Sequence, residues 1–115
     1  MITRDTLFML KPGFEDQGRV CFCPYAAQVA GFLSYYPQVR DTLDIVELAW
    51  PRPRKPLVDL LGEENQATPI LVLGPDAAPA PERVTIATHG EYRFVAKTIE
   101  VIRYLAATRG VPGPH

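Results

Sequence analysis

The apolar and polar positions fall into short blocks separated by prolines and glycines. Asp5-Thr6-Leu7-Phe8-Met9-Leu10 is an apolar run stopped by Lys11-Pro12-Gly13, the pattern of a buried strand. The polar stretch from Phe14 to Val20 reads as a loop. Cys21-Phe22-Cys23-Pro24-Tyr25 then leads into a segment whose Val29, Phe32 and Leu33 share one helical stripe. Pro24 suits the first turn of that helix, where a missing N–H is no loss, and Pro37 ends it. Asp44 to Trp50 predicts a second strand, terminated by the prolines at 51, 53 and 56. Leu57, Val58, Leu60 and Leu61 fit a short helix that starts near Pro56 and is capped at Gly62.

Thr68 to Gly74 is β-branched and apolar and predicts a third strand, with Pro69 at its start. Residues 75–81, rich in proline and alanine, read as an exposed loop. Arg83 to Ala87 and Glu91 to Ala96 alternate on either side of Thr88-His89-Gly90, which suits a hairpin or one bulged strand. Ile99, Ile102, Tyr104, Leu105 and Ala106 form a helical stripe behind Thr98 as N-cap, and Gly110 ends it. Val111 to His115 is expected to fray. The order β-α-β-α-β-β-α over a single domain, 1–115, predicts an α/β fold: a mixed four-stranded sheet with helices on both faces, opened by a right-handed parallel crossover.

Composition narrows the classes. With 115 residues, 47% of them hydrophobic, and a formal charge of −1, the chain can bury one core and is not a disordered polyampholyte. Balanced charge gives no electrostatic case for nucleic acid or for an anionic membrane. No apolar stretch approaches the ~20 residues of a membrane span, and no leader-like core is present, so a cytoplasmic location is expected. Two cysteines make neither a disulfide scaffold nor a four-ligand zinc site, and no metal site is expected. In a reducing compartment their roles are catalytic, redox or ligand-binding.

Cys23 is the candidate nucleophile. It stands where the first turn of a helix offers unpaired N–H groups and a positive dipole end to a thiolate. The alternative is a small buried hydrophobe, a common role for cysteine. Cys21, two residues earlier, closes only a very small, strained ring with Cys23; it is either a resolving cysteine or a loop residue. Arg52, Arg54 and Lys55 are available to steer an anion, or form a solvated basic loop. His89 beside Gly90 reads as a turn residue, and Trp50, Tyr35, Tyr36 and Tyr104 as core or rim aromatics.

Three motifs in order carry a resemblance. Cys23-Pro24-Tyr25 resembles the first three positions of the glutaredoxin C-P-Y-C motif. Thr68-Pro69 resembles the threonine and cis-proline shared across the thioredoxin-like fold. Lys97 to Leu105 resembles the E-S-x-A-I-x-x-Y-L ending of glutathione-transferase N-terminal domains. The chain is also similar to a bacterial family of small thioredoxin-like proteins of unassigned function, through Lys11 to Asp16, Cys23-Pro24, Pro51 to Arg54 and Gly62 to Gln66.

The resemblance implies a thioredoxin-like fold and a groove at Cys23, Pro24, Tyr25, Thr68 and Pro69, with glutathione or a protein thiol or disulfide as partner. Ala26 stands where dithiol relatives have the second cysteine, so the pattern is the monothiol one. Lys97-Thr98 replaces the acidic residue and serine that hold a γ-glutamyl group. Thr98 can still donate its hydroxyl, whereas Lys97 cannot accept from an ammonium. Three readings follow: a glutathione- or thiol-dependent disulfide oxidoreductase, a non-catalytic binding module on the same fold, and a glutathione-assisted iron–sulfur carrier.

Overall fold

The computed structural model describes residues 2–115. The first apolar run forms β1 (Thr6–Leu10) and is wholly buried. It is followed by β2 (Phe14–Asp16) and β3 (Arg19–Cys21), helices α1 (Pro24–Tyr35) and α2 (Pro37–Arg40), β4 (Asp44–Leu48), α3 (Lys55–Leu61), β5 (Ile70–Val72), β6 (Ala87–His89), β7 (Tyr92–Val95) and α4 (Thr98–Arg109). The expected α/β class holds, and the main sheet is mixed. Its order is β4-β1-β5-β7-β6, with β1 parallel to β4 and antiparallel to β5.

The sheet has five strands rather than four. Both limbs of the 87–95 segment pair as a hairpin, turning after His89 through Gly90. Residues 83–86, read as strand, lie outside it. The polar stretch from Phe14 is likewise not a loop but a two-stranded hairpin of its own. Gln17 and Gly18 both have positive φ, 52° and 76°, the turn whose twist matches the flanking strands. Pro37 ends α1 as expected and also opens the one-turn α2. Thr98 is the first helical residue of α4, not its N-cap; Lys97 occupies the cap and makes no side-chain capping bond.

Strand alternation divides the core in two. Leu7, Met9, Leu71 and Val95 face a cluster with Val29, Phe32, Leu33, Val39, Val101, Tyr104 and Leu105 from α1, α2 and α4. Phe8, Leu10, Ile70, Val72 and Phe94 face the other side, where Leu57 and Leu61 of α3 complete the packing with Phe14 and Trp50. Helices therefore cover both faces. Cys23 packs against both clusters, at the end of β1 where the two halves of the core meet.

Tyr104 is fully buried and its hydroxyl donates to the Ala78 carbonyl at 2.8 Å. Burial first, and the nearby Asp5 charge second, push its pKa above the usual 10. A raised folded-state pKa keeps the neutral phenol, so this contribution is complete below pH 10 and is lost as pH rises through the folded value. Urea midpoints from pH 7 to 11 should fall at the alkaline end by more in the wild type than in Tyr104→Phe. The variant should also lose about 1 kcal/mol at neutral pH through the missing hydrogen bond. Parallel alkaline profiles would remove Tyr104 from the account.

Candidate functional site

Cys23 is the N-cap of α1, with extended backbone (φ −78°, ψ 118°) and Pro24 directly inside the helix. Its carbonyl accepts the Ala27 N–H at 3.1 Å, while the thiol makes no capping bond. The half-buried Sγ is thus held by backbone and packing and is not occupied by the helix it starts. Cys21 closes β3 opposite Phe14, and its thiol donates to the Arg19 carbonyl at 3.4 Å. Both cysteines are free thiols.

The basic residues separate into three environments. Lys55 is exposed and engaged by Asp59 at 2.9 Å. Arg52 is exposed. Arg54 is only 8% exposed, which corrects its reading as part of a solvated loop. Its Nε and one terminal nitrogen donate to the Trp50 carbonyl at 3.1 and 2.8 Å, and the other terminal nitrogen to the Gln66 carbonyl at 2.7 Å. The Arg54 backbone N–H donates to Gln66 Oε1 at 2.6 Å. Among the described residues no carboxylate pairs with this guanidinium. Its pKa is lowered, by burial first and then by Arg52, with the Cys23 thiolate opposing.

Through Gln66 the same arginine reaches the segment entering β5. The Thr68–Pro69 bond is cis, as is Arg52–Pro53. Pro69 is buried, and Thr68 Oγ1 is buried with no hydrogen-bond partner. Tyr25, two residues after Cys23, is 56% exposed. Thr98 lies half-buried at the start of α4, with Lys97 3.9 Å from Glu100; no hydrogen bond ties Thr98 to Cys23 or Arg54 among the described residues. The structure ties Arg54 to Gln66, two residues before Thr68-Pro69, and leaves Arg52 exposed.

In sequence Gln66 closes the polar run Glu63 to Gln66 beside the proline strand, which reads either as a replacement contact for a γ-glutamyl group or simply as a turn. Its burial, at 6% exposed, follows from a partner 12 positions away. The groove beside Cys23 went unseen. It holds about 270 Å³ and is lined by Met9, Leu10, Pro12, Phe22, Ala26, Ala27 and Ala30, with Glu47 its one charged residue. No group of three metal-ligating side chains converges among the described residues, and no helix there is long and apolar enough to cross a membrane.

A family model described as "Protein of unknown function (DUF3088)" matches residues 4–113. No curated protein and no solved structure matches the chain.

Proposed function

The chain belongs to the DUF3088 family of proteins of unknown function, and from that premise we propose that it is a thioredoxin-like thiol protein that exchanges disulfides through Cys23, in a reducing compartment such as the cytoplasm. The fold part of the reading is supported by the sheet order β4-β1-β5-β7, with a parallel first pair and antiparallel partners beyond it. The observation that carries the chemistry is Cys23 at the N-cap of α1, a free thiol with Pro24 directly inside the helix; the buried Arg54, which has no carboxylate partner among the described residues, is near enough to act on it through its charge. A helix N-terminus is a place where negative charge is generally favoured.

In the reaction the Cys23 thiolate attacks one sulfur of a disulfide R–S–S–R′. The S–S bond breaks as Cys23–S–S–R forms, and R′S⁻ leaves and takes a proton from water. A second thiolate then attacks the mixed disulfide and returns Cys23 to its starting state. This needs one protein thiol, consistent with alanine at position 26. Glutathione disulfide tests it. The Cys21→Ser protein should take up one glutathionyl group by mass spectrometry, and Cys23→Ser should take up none. An unmodified Cys21→Ser protein, or an adduct confined to Cys21, overturns the proposal.

A further inference from the structure

The groove beside Cys23 is formed between α1 and the β1–β4 pair, and neither Thr68 nor Pro69 lines it. Met9 and Glu47 are register partners on the parallel β1–β4 pair, and both line it, opposite Ala26, Ala27 and Ala30 of α1. No lysine, arginine, aspartate or glutamate occurs in α1. Close to Cys23 in the chain, Val20, Phe22 and Tyr25 are 78%, 62% and 56% exposed, and Phe22 lines the groove. An exposed large apolar side chain on the rim of an apolar recess is the mark of an interaction surface.

We propose that this groove docks an extended apolar segment of a partner polypeptide, with a basic residue that meets Glu47, and presents that partner's disulfide to Cys23. The assignment rests on the exchange chemistry above and names its substrate class. Three features select this occupant. Small side chains along α1 leave room for the larger side chains of a guest, and the lining from Met9 to Phe22 offers them apolar contact. Glu47 is exposed and makes no ion pair among the described residues, so the groove's only charge is an unanswered negative one. Finally β4 is the terminal strand of the sheet, and the backbone row on its outer edge can pair with an extended chain. Glutathione suits the groove poorly, because its two carboxylates meet a carboxylate and its small apolar content leaves the lining bare.

The test uses three mixed disulfides of thionitrobenzoate: Ac-Leu-Phe-Lys-Cys-NH₂, Ac-Leu-Phe-Glu-Cys-NH₂ and glutathione. Each is presented to the reduced full-length protein, and the second-order rate is read from the absorbance of released thionitrobenzoate. The lysine peptide should react at least about tenfold faster than glutathione, the effect of seating one large apolar side chain. It should outrun the glutamate peptide by about threefold, as a partly exposed ion pair allows. In Glu47→Lys, a surface change that does not threaten folding, the peptide preference should reverse. Glutathione reacting as fast as the peptides, or a peptide ratio unmoved by Glu47→Lys, overturns the docking assignment and leaves the exchange chemistry standing. Release from none of the three overturns both.

Discussion

Asp5→Ala is expected to lower the unfolding free energy by about 3–5 kcal/mol, the cost of breaking a buried pair by removing one partner. Asp5 is 7% exposed. One carboxylate oxygen accepts the Gly74 N–H at 2.8 Å and the other accepts from Arg109 at 2.9 Å. The backbone carbonyl of Asp5 also accepts the Asp44 N–H. One residue therefore joins the start of β1, the end of β5, the start of β4 and the last turn of α4. The approach of Gly74 is so close that a Cβ there would stand 2.6 Å from Arg4 Cα, so no larger residue leaves the Gly74 amide where Asp5 can reach it. Alanine at position 5 strands that amide and the Arg109 guanidinium, itself bonded to the Thr42 and Thr108 hydroxyls. Asp5→Asn keeps an acceptor for Gly74 and should cost roughly half as much. Urea denaturation of the three proteins gives the ranking. A loss below about 1 kcal/mol in Asp5→Ala would make the cluster equivalent to a surface ion pair.

Much of this architecture is legible in the chain because burial and periodicity coincide. β1, β4, β5 and α4 are the runs with the plainest apolar pattern, and Pro24, Pro56, Gly62 and Gly110 mark helix ends as expected. The hairpin at 14–21 is illegible by the same criterion. Its strands have three residues each and are mostly half-buried or exposed, and its Gln17-Gly18 turn lacks the asparagine or aspartate that usually announces such a connection. What holds it is a tertiary contact, the stacking of Phe14 on Trp50 with ring centroids 5.8 Å apart. The fifth strand is misplaced for a related reason: the alternation from Arg83 to Ala87 suggests strand, whereas the strand that forms is Ala87–His89. Arg83 adopts φ 63° and the Thr85 N–H is taken by Glu100 from the first turn of α4. A side chain 15 positions away decides the backbone, and no local pattern reports it.

The candidate site divides in the same way. Cys23 at a helix start follows from the proline beside it, a local rule. Arg54 does not, because its position depends on carbonyls of Trp50 and Gln66 that only the fold brings around it. In sequence it is one of three similar cations. In the structure it is the buried one, and the difference comes from acceptor geometry rather than from charge.

Arg54→Met should separate structure from electrostatics at that site. Methionine fills similar space and ends the desolvation of a buried cation, which favours the variant. Against this, the Trp50 and Gln66 carbonyls are backbone groups that remain, and they lose three donated bonds at about 1–3 kcal/mol for each group left unsatisfied. The loss outweighs the gain, and urea denaturation should show a decrease of about 2–4 kcal/mol. Arg54→Lys keeps the charge but cannot span both carbonyls with one ammonium, so it should lose a similar amount of stability. Alkylation of Cys23 by neutral iodoacetamide, in a Cys21→Ser background well below the unfolding transition, then reads the charge alone. The methionine variant should react roughly tenfold more slowly than the lysine variant, the scale of one nearby charge at an effective protein dielectric. If the two alkylate at the same rate, Arg54 holds the loop and plays no part at the thiol; if only methionine slows it, the buried cation is what keeps Cys23 ready to attack.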